Sequence, residues 1–151
     1  MMSMPKSVTR NTKNGVVFID NCEACKYTIR ELTRAALRDV GNFVVIQINR
    51  SAQKLKGMGK NRRVRGLKHA FQYWNRPREC DLQVGVKHST WYGEAQELGT
   101  SKMNRLGFIR NTVYENIPTI VKIESQYLSA LENEAKALSL IDESESGGED
   151  G

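Results

Sequence analysis

The chain has 151 residues, of which 39% are hydrophobic and 26% charged, with a net charge of +6 and three cysteines. That length suits one domain with a modest core, and the thin apolar content points to an assembly component whose partners bury part of its apolar surface. No apolar run reaches the roughly 18 residues of a membrane span, the first residues lack a secretory pattern, and three cysteines without framework spacing argue against a disulfide scaffold, so a cytoplasmic site of synthesis is expected.

Charge is unevenly placed. Residues 1–131 hold 22 basic and 10 acidic side chains, whereas the last twenty hold one lysine and seven acids. This is a basic body with an acidic tail.

Residues 1–14, MMSMPKSVTRNTKN, are polar and basic without periodicity, and are expected to form a flexible arm or a segment ordered only by a partner. GVVFID reads as a short strand or apolar lead-in, with Asp20 or Asn21 as the N-cap of a helix. From Cys22 to about Lys56, Ile29, Leu32, Ala36, Val40 and Phe43 recur at three- and four-residue steps, which predicts helix. Gly41 divides it into two helices or leaves one with a weak point.

Cys22 and Cys25 share a side of this helix, but no second pair follows at zinc-site spacing. His69, Cys80 and His88 would complete a metal site only if the fold gathered them, and burial is the plainer expectation for such thiols. No cofactor or metal is expected.

KGMGKNRRVRG, residues 56–66, carries three glycines and five cations and reads as an exposed loop. LKHAFQYW, residues 67–74, alternates Leu67, His69, Phe71 and Tyr73 with the opposite face. NRPREC is a turn, and DLQVGVKH, residues 81–88, puts Leu82, Val84 and Val86 on one side, so the two runs predict an antiparallel β-hairpin.

STWYGEAQEL, residues 89–98, is a short helix capped by Ser89 or Thr90 and stopped by Gly99. After TSKMNRLG a second helical region begins near Phe108 and restarts at Asn116 and Pro118. Its apolar stripe is Ile117, Ile120, Val121, Tyr127, Leu128, Leu131, Ala135 and Leu138. DESESGGEDG has nothing to bury. The expected organisation is α+β: a flexible arm over residues 1–14, one domain over residues 15–141 with a helix or helix pair, a central hairpin, a short helix and a long C-terminal helix, and a disordered acidic tail over residues 142–151.

Glu94 and Glu97 lie three residues apart on the short helix, which puts two carboxylates on nearly one face, as general acid and base would require. A catalytic pair also needs a pocket that shifts its proton affinities, and no nucleophile motif, phosphate loop, zinc helix or dinucleotide fingerprint stands beside them. Surface charges paired with arginines are the expected role, and no enzyme is expected. Lys54, Lys56, Lys60, Arg62, Arg63, Arg65 and Lys68 fall within fifteen residues, beside Phe71, Tyr73 and Trp74. Cations neutralise phosphates and aromatics stack bases, so a small nucleic-acid-binding domain using loop 54–68 is the alternative reading; docking of the loop on an acidic protein ring is its rival.

The order of these features carries a resemblance. RGLKHAFQYW, DLQVGVKH, WYGEAQELGTSK and LGFIRNTVYENIPTI together resemble the neck or tail-completion proteins of long-tailed bacteriophages, also called minor tail components, in the form found in phages and prophages of Gram-positive bacteria. The likeness runs from about residue 15 to residue 143. The family's Thr-Gly-x-Leu step corresponds to Val64, Gly66 and Leu67, with Val64 in place of threonine and the spacing altered, and its Tyr-x-x-x-x-Glu-x-Gly-Thr element matches at Tyr92, Glu97, Gly99 and Thr100. Its Arg-Pro-Phe-x-x-Pro segment keeps Arg105 and Phe108 but has Leu106 and Asn111 at or near the usual prolines.

The resemblance implies a virion protein without catalytic activity, assembled in the host cytoplasm as a homo-oligomeric ring that completes the tail and joins it to the head. Its partners would be copies of itself, head-completion or connector proteins, and tail terminator or tail tube proteins, with nonspecific contact to DNA in the channel and none to membrane. On this reading Trp74, Trp91, Tyr92, Glu97, Gly99, Thr100, Arg105 and Phe108 belong to the protein interface, with the aromatics as anchors and Glu97 paired to a cation such as Arg105.

Overall fold

The computed structural model describes residues 5–53, 70–76, 78–102, 104–133 and 136–141, apart from the side chains of Gln53, Trp91 and Tyr92. In chain order the elements are β1 (Val8–Asn11), β2 (Val17–Asp20), α1 (Cys22–Gln53), β3 (Phe71–Arg76), β4 (Asp81–Val86), α2 (Trp91–Leu98), α3 (Phe108–Ala130) and α4 (residues 136–141). The architecture is α+β, as expected, with two antiparallel two-stranded sheets among the described residues, β1–β2 and β3–β4. Among the described residues no helix is long and apolar enough to cross a membrane.

The sequence of α1 dictates how the core is arranged. Leu32, Ala36, Val40, Val44, Ile48 and Ala52 are all buried and fall at every fourth residue. A helix turns about 100° per residue, so each step advances the buried line by about 40°, and from Leu32 to Ala52 it winds by about 200°. The two ends of α1 therefore bury nearly opposite faces. At the N-terminal end Leu32, Ala35 and Ala36 meet Tyr127 and Ala130 of α3 and Ala137 and Ile141 of α4, the alanines letting the helices approach closely. At the other end Val40, Val44, Ile48 and Ala52 meet Ala70, Phe71 and Phe108, with Leu82, Val84 and Val86 packed around them.

Gly41 does not divide α1. The ring of Tyr73 lies against it so closely that a Cβ there would sit 2.5 Å from Tyr73 Cδ2 and 2.7 Å from Cγ. Glycine is placed where β3 crosses the helix, and the intact turns on either side carry it through.

The central hairpin runs from Phe71↔Val86 to Arg76↔Asp81. Phe71, Tyr73, Val84 and Val86 share the face toward α1, as the alternation predicts. β3 extends through Asn75 and Arg76, past the expected turn at Asn75, because Arg76 Nε donates to Asp81 Oδ1 at 2.7 Å and its guanidinium also pairs with Glu79. β4 ends at Val86 rather than His88. The expected first residues of the strand, 67–69, lie outside the described residues.

Three further expectations change. Val8–Asn11, placed in a structureless arm, forms a strand paired with Val17–Asp20; the link is tied by Thr12 Oγ1, which donates to Val16 O at 3.0 Å, and Val17, Phe18 and Ile19 favour extended backbone. α3 runs through Pro118 without a restart, held to α1 on both sides of it by Val113, Ile120 and Ile123. Cys22, Cys25 and Cys80 are exposed thiols rather than buried ones, the first two at the solvent side of α1 and the third in the hairpin turn.

Candidate assembly surface

Residues 89–108 form a corner that joins the central hairpin to α3. α2 begins after Thr90, whose hydroxyl donates to Lys87 O at 2.7 Å instead of capping the helix. It ends at Gly99, with φ +79, a left-handed value that favours glycine. A Cβ at Gly99 would stand 3.0 Å from the backbone nitrogen of Arg105, because the chain doubles back there and Leu106 N–H donates to Gln96 O at 2.9 Å. Thr100 Oγ1 accepts the N–H of Lys102 at 3.4 Å within this turn.

Glu97 has a role that its sequence position does not suggest. The N-cap of α3 is Gly107, which has no side chain, and Glu97 reaches across to accept the N–H of Ile109 at 3.0 Å and of Arg110 at 3.3 Å. Its carboxylate thus fills the place of a capping side chain and faces the positive end of the helix. The expected Glu97–Arg105 pair gives way to this cap, and Arg105 is exposed. Glu94 is exposed as well, and the carboxylate of Glu97 is taken up by the cap.

Phe108 is not an interface residue. It is 6% exposed and meets Phe71 edge-on, with centroids 6.1 Å apart, because the Glu97 cap and the Gly107 turn direct the first residue of α3 into the core. The motif positions Glu97, Gly99, Thr100 and Phe108 therefore shape a corner, and the surface they present is made by others.

That surface has two parts. On the outer face of the central hairpin Trp74 lies across Gly85, where a Cβ would be 3.2 Å from Cζ3, and keeps 43% of its surface exposed. Trp91 and Tyr92 lie in the first turn of α2, with their side chains outside the described residues. On α3 the expected apolar stripe divides. Ile120 and Tyr127 turn toward α1, whereas Tyr114, Ile117, Val121, Leu128 and Leu131 are exposed and follow steps of 3, 4, 7 and 3, so that they form an apolar seam along one side of the helix. The sequence shows this periodicity but not which of two adjacent apolar lines meets α1.

Between α1 and α3 the lower end of that seam opens into a groove of about 250 Å³, lined by Ile29, Leu32, Ala36, Tyr127, Leu128 and Leu131, with Glu124 at its edge. No group of three or more His, Cys, Asp or Glu residues fit to hold a metal occurs among the described residues. The cationic loop 54–68 and the acidic tail 142–151 lie outside the described residues, as does His69. Comparison with known proteins finds no matching family model, no matching curated protein and no matching solved structure.

Proposed function

We propose that the chain is a structural subunit of a phage neck or tail end, which assembles as a ring, completes the tail and joins it to the head. The observation that carries this reading is the amount of apolar side chain left uncovered in so small a domain: the seam on α3, the half-exposed Trp74, and Val16, Val17, Phe18 and Ile19 in the N-terminal hairpin. Such surfaces are kept for partners. The Glu97–Gly99–Thr100 element supports the same reading from the sequence side, since it builds the corner that holds the hairpin and α3 in fixed relation. The work of the protein in this reading is binding, in the virion, to its own copies and to the connector and tail proteins above and below them.

The test is genetic and direct. Deleting the gene from the phage or prophage that carries it gives unjoined heads and tails in electron micrographs, wild-type protein restores joined virions, and Trp74→Ala, folded by circular dichroism, restores few. Normal virion yield in the deletion strain refutes the reading.

A further inference from the structure

We propose that the β1–β2 hairpin is an exchanged arm, which leaves its own body and seats in the α1–α3 groove of a second copy of this chain. The inference rests on the ring reading for the closure of the assembly, though not for the contact itself.

The hairpin leaves a group of large apolar side chains in water. Val8, Val16, Val17, Phe18 and Ile19 are each at least half exposed, with Phe18 at 58%. The register sets Phe18 opposite Arg10 and Ile19 opposite Thr9, so that Val8 and Phe18 occupy one face and Val17 and Ile19 the other. Each face carries two apolar side chains, and among the described residues neither pair is buried. A hairpin of this size is marginal alone, and it gains stability when one face lies on a second surface.

The groove offers what the hairpin lacks. Its lining is apolar, and Ile29 and Leu128 stand exposed at its rims, Leu128 at 66%. Charge selects between the two surfaces. Residues 5–20 carry Lys6, Arg10 and Lys13 against Asp20, whose carboxylate is already engaged by the N–H of Cys22 at 2.9 Å. The charged residue among the described groove-lining side chains is Glu124. A basic arm thus meets an acidic-edged apolar groove. Hairpin and groove are different patches, and on the ring reading copies join head to tail, the kind of contact that closes into a ring when its rotation allows.

The experiment uses the full chain. p-Benzoylphenylalanine replaces Phe18, equal amounts of 14N- and 15N-labelled protein are mixed, and photo-crosslinks are mapped by mass spectrometry. The expected products join position 18 of one isotope to the peptide holding Leu128 and Leu131 of the other. Crosslinks confined to one isotope show the arm on its own groove and overturn the proposal, as does a chain that sediments as a monomer at every concentration. Arg10→Glu and Glu124→Arg, both at exposed positions, each weaken association about threefold to fivefold at low salt, and the double variant recovers it. A double variant no better than the singles overturns the charge pairing on which the choice of partner rests. An oligomer that forms without the 18-to-128 crosslink removes this inference and leaves the ring reading standing. Mixed-isotope crosslinks in a protein whose deletion leaves virions joined retain the inference and remove the neck reading.

Discussion

Glu97 Oε2 accepts the backbone N–H of Ile109 at 3.0 Å, and Oε1 that of Arg110 at 3.3 Å, so a residue of one helix caps another that begins ten residues after the first has ended. Glu97→Ala leaves two N–H groups at the start of α3 without that acceptor and is expected to cost about 1–2 kcal/mol. Glu97→Gln keeps one oxygen but loses the charge facing the helix dipole, for about 0.5–1 kcal/mol. Urea unfolding of both variants measures the difference; equal stability of Glu97→Ala and wild type contradicts the cap.

Gly41→Ala pits helix propensity against packing. Alanine favours helix by about 1 kcal/mol, but its Cβ would press on the root of the Tyr73 ring, at Cγ and Cδ2, which cannot swing aside without moving β3. Overpacking of this kind costs about 1–3 kcal/mol, so the single variant is expected to be destabilised. In a Tyr73→Ala background the same change becomes stabilising. A double-mutant cycle reads this reversal of sign.

Tyr127 Oη donates to Asp39 Oδ2, tying α3 to α1 at a buried ring. Tyr127→Phe keeps the packing and removes the donor to a carboxylate, and is expected to lower stability by about 1–3 kcal/mol. Thermal unfolding would then begin about 2–10 °C earlier for a chain of this length. A variant with unchanged midpoint would show the bond to be idle.

The first turn of α1 is expected to respond to pH. Asp20 accepts the N–H of Cys22, and this hydrogen bond, with smaller help from Arg10 and Lys26, holds its carboxyl below the usual carboxylate value. A lowered folded-state pKa means stabilisation that is complete above the unfolded value of about 3.9 and is lost as pH falls through the folded one. The Cys22 amide shift, followed by NMR from pH 6 to pH 2, is expected to titrate with its midpoint below 3.9. In Asp20→Asn that transition disappears.

Much of the fold can be read from the sequence, and the parts that cannot share a cause. Three- and four-residue recurrence in Ile29, Leu32, Ala36, Val40 and Phe43 announces α1, and alternation in Leu82, Val84 and Val86 announces β4, because each pattern is local. Gly41 looks like a break because propensity counts against it, whereas the ring that requires it arrives from thirty-two residues away. Glu97 looks like half of an acid–base pair because its neighbour in sequence is Glu94, while its partners in space are the N–H groups at residues 109 and 110. Phe108 and the exposed side of α3 obey the same rule. Periodicity tells which side chains share a face, and only the tertiary path tells whether that face meets protein or solvent.

The winding of the buried line on α1 also ties the two halves of the molecule mechanically. A residue deleted between Ala36 and Val44 would turn the later half of the helix by about 100° against the earlier half, so no single rotation could satisfy both sets of partners. The helix acts as a keyed shaft, on which the seat of α3 and α4 is phased to the seat of the central hairpin.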